Sequence, residues 1–186
     1  MKIEILRIGK VDADVIGRIG ESLNTVFSKT RCVLHPESMR LPEEAFSRTR
    51  QQYRSDIILN TIASYSGSQN PFDRILGIAD VDLFVPRLNF VFGEAKCPGK
   101  AAIISLWRLR PEFYGKASDI EVFAERSTKE AVHELGHTLG LKHCSNPFCV
   151  MYFSNSIFET DRKQSFFCSK CYVKAQALAD NLRQES

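Results

Sequence analysis

Apolar and polar residues alternate along Lys2–Ile8 (K-I-E-I-L-R-I), the period of a strand with alternating faces. The period then changes. Between Asp12 and Phe27, residues Val15, Ile16, Ile19, Leu23 and Val26 recur at three- and four-residue spacing, which predicts an amphipathic helix. Arg31–Leu34 predicts a short strand, and His35–Glu43, with Pro36 and Pro42, a loop. A second helix is expected near Tyr53–Tyr65, with Ile57, Ile58, Ile62 and Ala63 inward. Ser66–Phe72 is turn chemistry. Three strands follow, at Ile75–Phe84, Asn89–Gly93 and Ala101–Arg108, the last two joined by the loop Lys96–Lys100. A third helix carries Val132, Leu135 and Leu139 on one stripe and ends near Gly140. Its start is open, because Ser118-x-x-Glu121 and Ser127-x-x-Glu130 both read as capping boxes. Cys171–Leu182 predicts a last helix. This order of elements fits an α/β or α+β sandwich with a mixed sheet.

Composition narrows the class. A chain of 186 residues fits one domain and buries a sizeable core without disulfides. Hydrophobic residues at 44% and charged residues at 25% are ordinary for a globule. No apolar run reaches the ~18 residues of a membrane-spanning helix. A net charge of +3 is too weak to point to nucleic acid. The N-terminus has no long apolar run or cleavage pattern, so a reducing, cytoplasmic setting is expected, with the chain a monomer. Cys32 and Cys97 are then free thiols, and His35 is an ordinary loop residue.

The candidate chemistry sits at the end of the third helix. His133-Glu134-Leu135-Gly136-His137 is followed by Gly140, His143 and Met151. On a helix, His133 and His137 stand one above the other, so both imidazoles reach one metal ion. Gly140 lets the backbone leave the helix sharply, and His143 arrives from another direction as a third ligand. Three nitrogens leave the fourth position of tetrahedral zinc for water, the arrangement of a catalytic site. Glu134, beside the first ligand, is placed to take a proton from that water.

Cys144 and Cys149, then Cys168 and Cys171, form two short-spaced pairs separated by a loop. That is the spacing of a structural zinc site. Two disulfides are a rival reading, disfavoured by the lack of a secretory leader. A redox C-x-x-C at Cys168 and Cys171 is a third, disfavoured by the neighbouring cysteine pair.

The run from His133 to Met151 (H-E-L-G-H-T-L-G-L-K-H-C-S-N-P-F-C-V-M), followed by Phe167–Cys171 (F-C-S-K-C), resembles the archaemetzincins, metzincin-like zinc metalloproteases of archaea and vertebrates. Leu76–Phe84 and Asn89–Ala95 look like the same family. The resemblance implies a mixed, mostly parallel five-stranded sheet with an antiparallel edge strand, packed on helices, plus a small zinc-bound C-terminal lobe. It implies a single catalytic domain over 1–186, with 1–140 the lobe bearing the zinc helix and 141–186 the lobe bearing the cysteines and the Met-turn. His133, His137 and His143 would bind a catalytic zinc, Glu134 would be the general base, and Cys144, Cys149, Cys168 and Cys171 would bind a structural zinc. That makes two zinc ions per chain. Met151 would floor the three imidazoles without ligating. Some metzincin branches place a tyrosine two residues beyond that methionine; here the position is Phe153, with Tyr152 before it.

The expectation is thus a zinc metallopeptidase that cleaves a peptide or protein substrate, with endopeptidase and aminopeptidase action both open. The alternative is a zinc-stabilised peptide-binding module with little hydrolysis, which an intact Glu134 weighs against. No nucleic-acid or membrane partner is expected. Asn89–Ala95 is either a substrate-pairing edge strand or simply a further sheet strand. Asp80 and Asp82 suggest a capping or turn role more than calcium. Trp107, Phe166 and Phe167 read as packing residues.

Overall fold

A computed structural model of the chain describes residues 1–27, 30–65 and 71–184. The expected turn at Ser66–Phe72 lies outside them except for its last two residues. The described elements are β1 (Lys2–Ile8), α1 (Ala13–Val26), β2 (Arg31–Met39), β3 (Phe46–Ser47), β4 (Gln52–Arg54), α2 (Ser55–Tyr65), β5 (Arg74–Ala79), β6 (Leu83–Phe84), β7 (Gly93–Ala95), β8 (Ala101–Ser105), α3 (Ile120–Thr138), α4 (Ile157–Arg162) and α5 (Ser169–Gln184).

The main sheet has five strands in the order β2-β1-β5-β8-β7. All neighbours pair in parallel except β7, which runs antiparallel to β8 at the edge. Every residue of β5 and β8 is buried, as expected of central parallel strands covered on both faces. One core holds Ile3, Ile5, Leu76, Ile78 and Ile104 against α1 and α3. The other holds Leu6, Ile8, Ile75 and Ile103 against α2. The first core continues through Cys149, Val150 and Met151 to Cys171 and Ala175, so the C-terminal segment shares it. A second sheet, β3-β4-β6, is small. Among the described residues, no helix is long and apolar enough to cross a membrane.

Several boundaries moved for physical reasons. β2 continues through Pro36 to Met39, which an edge strand tolerates because its outer amides need no partner. Its register slips between Leu34, opposite Ile5, and Ser38, opposite Arg7. His35 lies in that irregularity, with Nδ1 2.8 Å from an oxygen of buried Glu4, so it is no ordinary loop residue. The long strand expected over Ile75–Phe84 breaks after Ala79. There Asp82 takes two hydrogen bonds of 2.7 Å from Arg108, and Asp80 takes one of 2.6 Å from Arg110. These acids pair with arginines at the bend between β5 and β6. Trp107 and Phe166 stay 46% and 52% exposed, contrary to the packing role expected, whereas Phe167 packs on Phe27 with ring centroids 5.6 Å apart. α4 had no sequence expectation; Ser156 and Glu159 close a capping box at its start.

Neither serine caps α3. The Asp119 carboxylate accepts from the amides of Glu121 and Val122, both at 3.0 Å. Asp119→Ala should therefore cost about 1 kcal/mol in urea unfolding. Ser118→Ala should leave the midpoint nearly unchanged, and equal losses in the two variants would contradict the assignment.

Candidate metal centres

α3 ends in a Schellman turn. Gly140, at φ +99°, donates to the His137 carbonyl at 2.8 Å, and Leu141 donates to the Gly136 carbonyl at 3.1 Å. A residue with a β-carbon avoids that backbone conformation. The turn brings the Leu141 carbonyl under the ring of His137, whose Nδ1 lies 2.7 Å from it. His133 Nδ1 makes the equivalent contact, also 2.7 Å, to the Val150 carbonyl. A carbonyl only accepts, so both Nδ1 atoms carry the proton and both Nε2 lone pairs are free. Those two Nε2 atoms lie 3.1 Å apart. Ligand nitrogens of a tetrahedral zinc at ~2.0–2.1 Å are themselves about 3.4 Å apart. A ring nitrogen of His143 completes the group, with all three donor atoms within 4.8 Å of one another.

Burial drives the electrostatics. It pushes His133 well below the usual imidazole range, with Lys163 and His137 adding to the effect. Burial also lowers His137 and His143. The imidazoles are thus kept neutral, as metal ligation requires. Burial, and then Glu130, push Glu134 well above the usual carboxylate range, while Lys163 opposes them.

Two glycines permit close approach. A β-carbon at Gly136 would stand 2.5 Å from Met151 Sδ, so Met151, fully buried, packs directly on the helix. A β-carbon at Gly93 would stand 2.6 Å from Glu134 Cγ and 2.7 Å from its Oε1. Gly93 therefore lets β7 pass beside the Glu134 carboxylate. The strand is shorter than the sequence suggested: Asn89–Phe92 precedes it as irregular chain. A cleft of about 820 Å³ opens between this segment, His133, Glu134 and Phe153. Phe153, not a tyrosine, is the aromatic beside the third histidine, with its ring 4.8 Å from that of His143. The Val150 and Leu141 carbonyls and Lys163 carried no motif signal; Glu130 was marked only as half of a capping box, and Gly93 only as part of a candidate edge strand.

The four cysteines also converge. Their sulfurs lie within 4.8 Å of one another, with Cys144 and Cys168 Sγ 3.9 Å apart. That is near the ~3.8 Å between thiolates around a zinc with Zn–S of ~2.3 Å, and far from the ~2.05 Å of a disulfide. All six cysteines are free. Cys32 is pushed up to about 11 by burial, which favours its thiol form. Cys97 is exposed, with its sulfur 3.7 Å from the Leu141 carbonyl. The amide of Cys171 and the neighbouring thiols pull Cys168 down to about 7, while burial pushes Cys171 up.

The sequence profile of peptidase family M54 matches residues 5–177. The chain belongs to this family. Archaemetzincin of Methanocaldococcus jannaschii is 42% identical over 95% of this chain and 93% of its own. Archaemetzincin of Pyrococcus abyssi is 41% identical over 94% of each. The crystal structure of archaemetzincin from Archaeoglobus fulgidus, complexed with malonate, superposes with a TM-score of 0.79 at 37% identity, covering 94% of this chain and 99% of its own. A zinc-dependent peptidase from Methanocorpusculum labreanum gives 0.82 at 31% identity, covering 93% and 99%. Family, fold and convergent histidines agree: this M54 chain is a zinc-dependent metallopeptidase of the archaemetzincin type.

In metal-free protein, Cys168 should be alkylated first among the four clustered cysteines. Its rate should rise with pH through a midpoint near 7, because only the thiolate attacks. Zinc should suppress the reaction. Mass spectrometry after short iodoacetamide pulses reads the order, and uniform labelling of the four sites would count against it.

Proposed function

We propose that His133, His137 and His143 hold the catalytic zinc, and that Glu134 is the general base. Cys144, Cys149, Cys168 and Cys171 hold a second, structural zinc, so the loaded chain carries two. The observation that carries the reading is the pair of Nε2 lone pairs 3.1 Å apart, each freed by a carbonyl on the opposite ring nitrogen. Zinc bound there supplies a Lewis acid that polarises the scissile carbonyl and acidifies the attacking water. Glu134 takes the proton from that water and delivers it to the departing amine. No side chain forms a covalent intermediate. Met151 shapes the floor, and Phe153 walls the cleft without a hydroxyl to ligate or donate. The shared core supports reading 1–186 as a single catalytic domain, with 1–140 and 141–186 as its two lobes.

The substrate is a peptide or protein segment, and β7 is its docking edge. Lys96 donates to Ala101, and Ser105 donates to Phe92. Residues 92, 94 and 96 therefore bond to β8, and the alternation turns the amides of Gly93 and Ala95 outward. Val91, in the same alternation, donates outward to Leu83 at 2.9 Å. The open part of the edge thus begins at Gly93, beside Glu134, where an extended peptide adds as the next strand.

Glu134→Ala should keep both zinc ions and the fold and lose hydrolysis by at least ~10²–10⁴-fold. Equal cleavage of every tested peptide by variant and wild type would remove the assignment. If neither cleaves anything while both hold two zincs, the peptide-binding module becomes the better description.

Metal analysis during mild chelation should find one zinc lost early with the fold intact, because the three-histidine site keeps an open position and the four-cysteine site is closed. Cys168→Ser should lower the melting temperature, since ligation energy at a structural zinc is folding energy. One zinc per fully loaded, unoxidised chain would eliminate the second site.

A further inference from the structure

Among the described residues, Lys163 is the largest fully buried side chain, with its side chain at 0% exposure. It lies just past α4 and forms an ion pair of 3.0 Å with Glu130 Oε1. That ammonium finds no well-directed hydrogen bond among the described residues, so its tie to Glu130 is one of charge. The same Glu130 oxygen accepts from the hydroxyl of buried Thr160 at 3.1 Å. Glu130 stands on α3 one turn before His133 and Glu134, and it borders the same cleft.

A buried ion pair is seldom more stabilising than apolar packing. Docking of α4 on α3 does not require this one. Arg126 already grips Asp161 through two hydrogen bonds of 2.7 Å, and Lys129 donates to the Asp161 carbonyl at 3.2 Å. What the pair changes is the charge at the cleft. Two carboxylates of one helix, Glu130 and Glu134, stand four residues apart beside three imidazoles poised for a dication. A carboxylate is itself a zinc ligand. With no counter-charge, Glu130 would turn to the nearest cation, the metal.

We propose that Lys163 is a positioning residue of the peptidase centre. Acting with Thr160, it holds Glu130 off the three-histidine metal and leaves Glu134 as the carboxylate of α3 free to serve the reacting water. The inference rests on the roles given above to Glu134 and the histidines. It adds a residue that touches neither substrate nor metal and sits outside the zinc-binding motif.

The test uses the zinc-loaded full chain with Lys163→Met, Glu130→Gln and the double variant. Each is assayed for kcat and KM on a peptide the wild type cleaves, and for the rate at which a chelator removes the labile zinc. In Lys163→Met, kcat should fall at least tenfold with KM within about twofold, and the labile zinc should leave more slowly, because Glu130 now reaches it. In the double variant, kcat should return to within about threefold of wild type and zinc loss to its wild-type rate. Wild-type kcat in Lys163→Met, faster zinc loss there, or a double variant no better than Lys163→Met would each overturn the proposal. Should Lys163→Met fail to fold, Lys163→Gln replaces it, with a donor toward Glu130 but no charge and the same outcomes. Glu134→Ala, run alongside, separates the two levels. Wild-type activity in Glu134→Ala overturns the underlying assignment, whereas wild-type behaviour confined to the Lys163 variants overturns this inference alone.

Discussion

Two hydrogen bonds from imidazole to backbone carbonyl organise the site. His133 Nδ1 meets the Val150 carbonyl and His137 Nδ1 meets the Leu141 carbonyl, each at 2.7 Å. Each bond fixes a tautomer and a ring orientation, and so aims a lone pair. Each also commits a stretch of backbone. The Leu141 carbonyl is in place only because the chain turns at Gly140, and that same turn starts the path to His143. The Val150 carbonyl is in place because its segment pairs with the chain beyond α4, where Val150 donates to the Phe166 carbonyl and Gln164 donates to the Phe148 carbonyl. The three donor nitrogens therefore depend on the fold of the C-terminal segment as much as on the helix that carries two of them.

Tight packing then removes freedom from the remaining parts. α3 is buried along most of its length, with Val132 and Leu135 facing the sheet and Gly136 facing Met151. A larger residue at 136 would lift the methionine off the helix and disturb the neighbouring Val150 carbonyl. Gly93 acts the same way on the other wall, bringing the sheet edge against the Glu134 carboxylate. Both glycines are needed for closeness, whereas Gly140 is needed for its backbone angle.

The helices were legible because their apolar residues recur at helical spacing, and the two convergent clusters of histidines and cysteines because their spacing is itself the signal. The interior strands β5 and β8 were found from apolar runs. Sequence failed where neighbours decide. Pro36 sits within β2 because that strand is an edge, which no local pattern reports. Asp119 caps α3 although two serine-based capping boxes compete nearby. The run Ile75–Phe84 breaks because Arg108 and Arg110, more than 25 residues away, draw Asp80 and Asp82 into a turn. The Glu130–Lys163 pair was invisible for the same reason: 33 residues separate a charge on α3 from its partner past α4. Trp107 and Phe166 were misjudged because aromatic identity alone does not say which face of a segment lies inward.

The cysteine cluster explains how so polar a segment holds its place. Phe148, Phe158 and Phe166 are more than half exposed, so residues 144–168 bury less apolar surface than their composition offers. Four sulfurs converging within 4.8 Å supply a covalent-strength alternative once a metal joins them. The cluster is also wired to the histidines. Cys144 directly follows His143 and donates its amide to the Met151 carbonyl at 2.9 Å, while Cys149 directly precedes Val150. A metal gripping Cys144 and Cys149 thus fixes both ends of the loop that supplies the third imidazole, the floor and the carbonyl on His133. In that arrangement the cysteine cluster sets the geometry of the histidine cluster.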